Sequence, residues 1–277
     1  MTSLAERLGY SDDQRLLILS ADLIGSTHAA TEAGIAALRT EAATTATLMM
    51  PGPWARYGAD HLRTLGTPDI GIHLTLNAEL ECFRWGPLTQ APSLLDGDGG
   101  FPRTAADLWD HADIDEVRRE CRAQIERAIG WGVNPTHLTT HLSAMQQRPE
   151  FFDVLIELAY EHQLPVRLES GDAEAEAGFP YRQLAANDNI VIPDHYQLVR
   201  GHVRPHLDQV LANLQPGVTE VSFAPALAAE EIRAIDPNAH DRFSDFTTLT
   251  DRQLRDRLDG LGVTLIGYEP LRELQRR

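Results

Sequence analysis

The chain has 277 residues, 43% of them hydrophobic, and a formal net charge of −17 with a pI near 5.0. That is ample for a core in one large α/β domain or two small ones. No Lys/Arg-rich run is present, so the sequence carries no electrostatic footprint for nucleic acid or an anionic membrane surface. Cys82 and Cys121 lie far apart without CxxC spacing, which excludes a zinc knuckle and a disulfide framework and fits a cytoplasmic protein. No apolar run approaches the roughly 18–20 residues of a membrane span, and the first residues lack a basic-then-apolar signal layout.

The stretch RLLILSADLIG, Arg15 to Gly25, reads as the central strand. Its uninterrupted run Leu16–Leu19 suits a strand buried on both faces of a parallel sheet. Asp22 follows that run, where α/β folds place their chemistry, though it could equally cap the next helix. A helix is expected over Thr27–Leu38 with Thr27 as cap, then a strand at Ala46–Met50, a helix over Trp54–Leu65, and a strand over Asp69–Leu76. In this last strand Ile70, Ile72, Leu74 and Leu76 share one face, and His73 and Thr75 the other.

Asn77 to Arg103 is a long Gly/Pro-rich loop of the kind that covers ligands, and it carries Glu79, Phe83, Trp85 and Phe101. Asp113 and Glu116 predict a capping box for a helix whose apolar face runs Ile114, Val117, Cys121, Ile125, Ile129; Cys121 is a core residue on this reading. THLTTH, Thr136–His141, is a strand with His137, Thr139 and His141 on one side. A helix starts at Pro149, and Leu164–Leu168 is a fifth strand bearing Arg167. Residues 170–188 read as a polar loop, and Asn189–Ile192 as a short strand. Further expectations are a helix at His206–Leu214, a strand at Glu220–Phe223, helices at Glu230–Ile235 and Asp251–Leu261, and a last strand at Val263–Tyr268.

Strands and helices thus alternate throughout. That favours an irregular (β/α) barrel of about seven or eight parallel strands, with an open doubly wound sheet second. No GxGxxG follows the first strand and no GxxxxGK[ST] occurs, so a nucleotide fold gains no support. With no internal repeat or linker, residues 1–277 are read as a single domain. A homodimer is left open. In a parallel sheet Asp22, His73 and His141 meet at one rim, and two imidazoles with a carboxylate suit zinc or a similar divalent ion. His202 and His206 could share a helix face, but no Glu accompanies them as in HExxH.

Four stretches then point to a family. SADLIGSTHAATEA resembles an ADDxG opening, GIHLTLNAEL a GxHLTL strand, and NPTHLTTHLSAM a PTHLDSH segment; RPEFFDVLIELAYEHQLPVRLE resembles the helix and strand that follow. FRWGPLT, TEVSFAPA and VTLIGYEPLREL add weaker similarity. The chain resembles the YdjC/ChbG family of carbohydrate deacetylases over most of its length. The resemblance implies an irregular (β/α) barrel that removes the N-acetyl group of a small amino-sugar-like substrate with a divalent metal, Zn or Mg. It implies Asp22 as catalytic base, His73 and His141 as metal ligands, and Arg167 as the arginine after the fifth strand. Glu79, Trp85 and Thr139 are the candidate substrate contacts.

Three positions depart from the family pattern. The second Asp of the pair is Leu23, which cannot ligate a metal. The Asp of PTHLDSH is Thr139, and a His that often precedes the late Pro is Ala224. Asp22 could take over as metal ligand, leaving Glu79, Asp194 or His195 as base. Alternatively the metal is lost, leaving metal-free chemistry on a small polar molecule or a non-catalytic binding protein.

Overall fold

The computed structural model describes residues 2–41, 43–66, 68–169, 171–199 and 203–277. Seven parallel strands form one sheet: β1 (Arg15–Ile24), β2 (Thr45–Leu48), β3 (Ile70–Leu74), β4 (Leu138–Thr140), β5 (His195–Leu198), β6 (Gly217–Phe223) and β7 (Thr264–Leu265). Their order is β4-β3-β2-β1-β6-β5, and β7 pairs with Leu16 and Leu17 of β1. The sheet curls into a half-barrel with helices on its outer side, the irregular (β/α) barrel expected from the alternation.

β1 is central because its side chains are buried in both directions. Leu17 and Leu19 join the large outer core, whereas Leu16 and Ile18 pack with Val218, Ile266 and Tyr268 in a second cluster that includes Leu4 and Ala5. Period-two alternation thus sends neighbouring leucines to opposite faces. All strands run the same way, so their carboxyl ends crowd one rim. Among the described residues no helix is long and apolar enough to cross a membrane.

Several local expectations need correction. β1 continues to Ile24, so Asp22 lies inside the strand, and the His28–Arg39 helix is capped by Thr27, whose Oγ1 accepts from the Ala30 N–H. Asp113 caps the Ile114–Gly130 helix, but only half of the expected box forms: Glu116 instead accepts from the Ser93 N–H and hydroxyl. Leu164–Leu168 stays extended without becoming a full strand, because Pro165 has no N–H to donate; a single bridge links Val166 to Leu138.

Asn189–Ile192 is not a strand, and the sheet edge is formed by β5 instead. The acidic stretch expected as loop contains helices Asp172–Ala177 and Tyr181–Asn187. Ala and Glu favour helix there, and Gly178, at φ 76°, ends the first helix. Ala105–His111 and Ala239–Leu249 are further helices that apolar periodicity did not reveal.

Candidate active site

The floor of the site is made by β1, β6 and the extended segment at Arg167. The pairing of β1 with β2 shifts register between Ala21 and Ile24, and Leu23 there adopts φ 71°. Such a bulge re-aims side chains at a strand end. Asp22 is buried, and both its oxygens are engaged. Oδ1 accepts from Ser20 Oγ (2.8 Å), Thr47 Oγ1 (3.1 Å) and Arg167 Nη2 (3.0 Å), and Oδ2 from Arg167 Nη1 (2.6 Å).

Arg167 in turn donates from Nε to Glu220 Oε1 (2.8 Å), and its guanidinium lies 5.3 Å from the Tyr196 ring centroid. The Tyr268 hydroxyl donates to the other Glu220 oxygen. Burial pushes the Asp22 carboxyl up, but the Arg167 charge and hydrogen bonds outweigh it and hold Asp22 below the ordinary value. Burial dominates at Glu220 and raises it despite Arg167. Asp22 is therefore a carboxylate tied to a cation and a weak base. Glu220 escaped the sequence reading, although a lone Glu inside the buried TEVSF strand was a signal for it.

The wall beside this floor comes from β3, β4 and the loops after them. His73 Nδ1 lies 2.6 Å from Thr139 Oγ1, its Nε2 lies 3.2 Å from His141 Nδ1, and His141 Nε2 lies 2.8 Å from Glu79 Oε2. Burial, followed by the neighbouring His141, pushes His73 down to about 3, so its ring is neutral. Burial would raise Glu79, but the charge and hydrogen bond of His141 hold it at about 2. One proton arrangement satisfies every contact: Thr139 O–H donates to His73 Nδ1, His73 Nε2–H to His141 Nδ1, and His141 Nε2–H to Glu79. His141 opens a short 3-10 turn directly after β4, which puts its ring at the rim.

Asp22, His73, Glu79, His141 and Arg167 all line one cavity of about 580 Å³. Thr139 is fully buried and supports His73 from behind. Trp85 is also buried: its Nε1 donates to the Asn77 carbonyl (2.7 Å) and its ring stands 6.2 Å from that of His141. Both residues position the imidazoles rather than face the cavity. Asp194 is likewise structural, accepting from the Val218 N–H, and His195 lines a different cleft. His202 lies outside the described residues. The Ala224 N–H donates to Asp245.

Two imidazole nitrogens 3.2 Å apart have the spacing of neighbouring ligands on a tetrahedral zinc, given metal–nitrogen bonds of about 2.0–2.1 Å. The Glu79 and Thr139 contacts are the outer-sphere supports such ligands use. The third position fails. Asp22 is committed to Arg167, Leu23 presents hydrocarbon, and among the described residues no group of three or more His, Cys, Asp or Glu could hold a metal ion. The donor set is therefore short of the three protein ligands of a catalytic zinc site.

The parallel half-barrel, with its acid–base groups gathered at the carboxyl ends of the strands, places the chain in the (β/α)-barrel class of α/β proteins. The model of the YdjC-like protein family matches residues 16–260, and the chain belongs to that family. It is 32% identical over 263 residues to a carbohydrate deacetylase of Thermus thermophilus, covering 91% of this chain and 92% of the relative. It is 27% identical to a carbohydrate deacetylase of Thermoanaerobacter pseudethanolicus, covering 93% and 100%. A solved structure from Enterococcus faecalis V583, of a protein with a proposed role in cellobiose-phosphate cleavage, shares the fold with a TM-score of 0.79 at 24% identity, over 93% of this chain and 99% of that one.

Proposed function

We propose that the protein hydrolyses the N-acyl amide of a small amino-sugar-like substrate. The observation that carries this reading is the His73–His141–Glu79 chain standing over the Asp22–Arg167 pair in a single cavity. The relatives named carbohydrate deacetylase support the same reaction class.

Amide hydrolysis needs a base for water, charge stabilisation at the carbonyl oxygen and a proton for the departing amine. His141 is placed for the first and last of these. A water that takes the place of His73 at Nδ1 gives its proton to that nitrogen as its oxygen bonds to the acyl carbon. Glu79 then faces the resulting imidazolium, the orienting role a carboxylate plays beside a catalytic histidine. When the carbon–nitrogen bond breaks, the same proton passes to the amine, leaving a free amino sugar and a carboxylic acid, which then loses its remaining proton to solvent. His73, held by Thr139, can donate toward the carbonyl oxygen. Arg167 keeps Asp22 ionised and fixed in the floor. With only two imidazoles available, no step is routed through a metal.

The test is release of acyl product and free amine from a panel of N-acetylated mono- and disaccharides, comparing wild type with His141→Ala. Turnover abolished by the substitution is the expected result. A wild type that cleaves none of the panel, with and without added Zn²⁺, sinks the proposal.

A further inference from the structure

The cavity has two unlike walls. On the β3–β4 side stand His73, His141 and Glu79. On the opposite side Leu23, Ala224, Leu198 and Val199 line the same space. Sheet order explains why these four adjoin. β1, β6 and β5 are consecutive neighbours, with Ala21 opposite Phe223 and Leu198 opposite Ser222. Leu23, Ala224 and Leu198–Val199 therefore stand side by side at the carboxyl ends of three adjacent strands. The overlying Ala239–Leu249 helix brings Asp241, Arg242 and Asp245 to the same cavity; Asp245 accepts from the Ala224 N–H and Arg242 pairs with Asp236.

Leu23 is the telling member. At φ 71° it occupies a conformation that Gly, Asn and Asp adopt far more readily than leucine. Most of the Leu23 side chain packs into the core, and the edge it leaves exposed, beside Asp22, gives a polar cavity apolar surface against the local backbone preference. Apolar surface in a ligand cavity is stabilised when the ligand covers it. In an N-acylated amino sugar the acyl chain is the one part without hydrogen-bonding groups beyond its carbonyl. With the carbonyl at the imidazoles and the sugar hydroxyls toward Glu79 and Glu169, the chain attached to the carbonyl carbon is left facing Leu23.

We infer that the acyl group removed is longer than acetyl: an unbranched chain of about four to six carbons lying on Leu23, Ala224, Leu198 and Val199. This rests on the amide-hydrolase reading above and adds the class of acyl group to it. The chemistry is unchanged: water adds to the carbonyl carbon, the carbon–nitrogen bond breaks, and a short fatty acid leaves.

The experiment measures amine release from glucosamine carrying N-acetyl, N-propanoyl, N-butanoyl and N-hexanoyl groups. Burial of each methylene is worth about a fourfold gain, so wild-type kcat/KM should climb by about that factor per added carbon through butanoyl. In Leu23→Asn, which suits the positive φ and removes the hydrocarbon, the series should flatten; Leu198→Asn provides the same comparison if the first variant fails to fold. A wild-type series that is flat or highest at acetyl overturns the inference while leaving amide hydrolysis standing. An undiminished slope in folded variants overturns it too. Failure of wild type to cleave any member overturns the underlying reading, and this inference with it.

Discussion

The two charged assemblies of the site are built from similar groups and behave in opposite ways. In the floor, Arg167 is shared between Asp22 and Glu220, with Ser20, Thr47 and Tyr268 taking up remaining capacity. Every partner there is buried, and the assembly is saturated. In the wall, the Glu79–His141 pair is reachable from the cavity: 29% of the Glu79 side chain is exposed, and the other ring nitrogen of His141 meets His73. A saturated buried network fixes geometry, whereas a chain open to the cavity can exchange a proton with a ligand. On the proposed reading, the base is therefore His141 and not Asp22, the residue most prominent in the sequence.

The largest expected effect comes from breaking the floor. Arg167→Met leaves Asp22 and Glu220 buried and unpaired, and removal of one partner from a buried ion network costs about 3–5 kcal/mol. Urea unfolding should show that loss. The surface contrast is Arg122→Met, whose pairs with Glu157 and Glu161 are partly exposed; it should cost less than about 1 kcal/mol. Equal losses in the two variants would erase the distinction between buried and exposed pairs.

Breaking the wall should act chiefly on turnover. Glu79→Gln and His141→Ala should each lower kcat by roughly 10²–10⁴-fold, and the double variant should be no worse than the more damaged single one. Additive losses would mean that the two residues do not act as a unit.

A smaller effect concerns the third ligand position. Leu23→Asp places a carboxylate in the cavity that His73 and His141 line, at a backbone conformation that Asp tolerates well. Zinc titration calorimetry should find at least tenfold tighter binding than in wild type, about 1.4 kcal/mol. Unchanged affinity would show that Leu23 does not occupy a ligand position. Thr139→Val removes the hydroxyl on His73 Nδ1 and should cost about 1 kcal/mol of stability by thermal unfolding.

The same wall should also show an acid effect. Glu79 is held at about 2 in the fold against an ordinary value of 4.5. A depressed carboxyl contributes stability that is present above its unfolded value and lost as pH falls toward the folded one. Wild type should therefore lose stability between about pH 4.5 and 2 more steeply than Glu79→Gln, followed by unfolding at fixed temperature across that range.

The alternation of apolar strands and amphipathic helices was legible because burial imposes periods of 2 and 3.6 on the side chains. That reading placed β1, β3, β4 and most of the long helices within a few residues. It failed where context decided. The edge strand β5, His195–Leu198, is only half-buried and has no apolar run to betray it. The helices Asp172–Ala177 and Ala239–Leu249 are too exposed or too mixed in composition to show a stripe.

Residue by residue, the sequence by itself determined the parallel half-barrel, the family and the identities of Asp22, His73, His141 and Arg167, because these follow from local pattern and motif. It also showed that residue 23 is a leucine. Only the tertiary structure decided what each does. Partnering is set by groups that lie 145 residues apart, as Asp22 and Arg167 do, and 62 apart, as His141 and Glu79 do. Hydrogen-bond capacity already used within the fold is not available to a ligand. That is why Asp22 is tied into the floor, Thr139 and Trp85 support the imidazoles from behind, and Glu220 enters from a strand that looked purely structural.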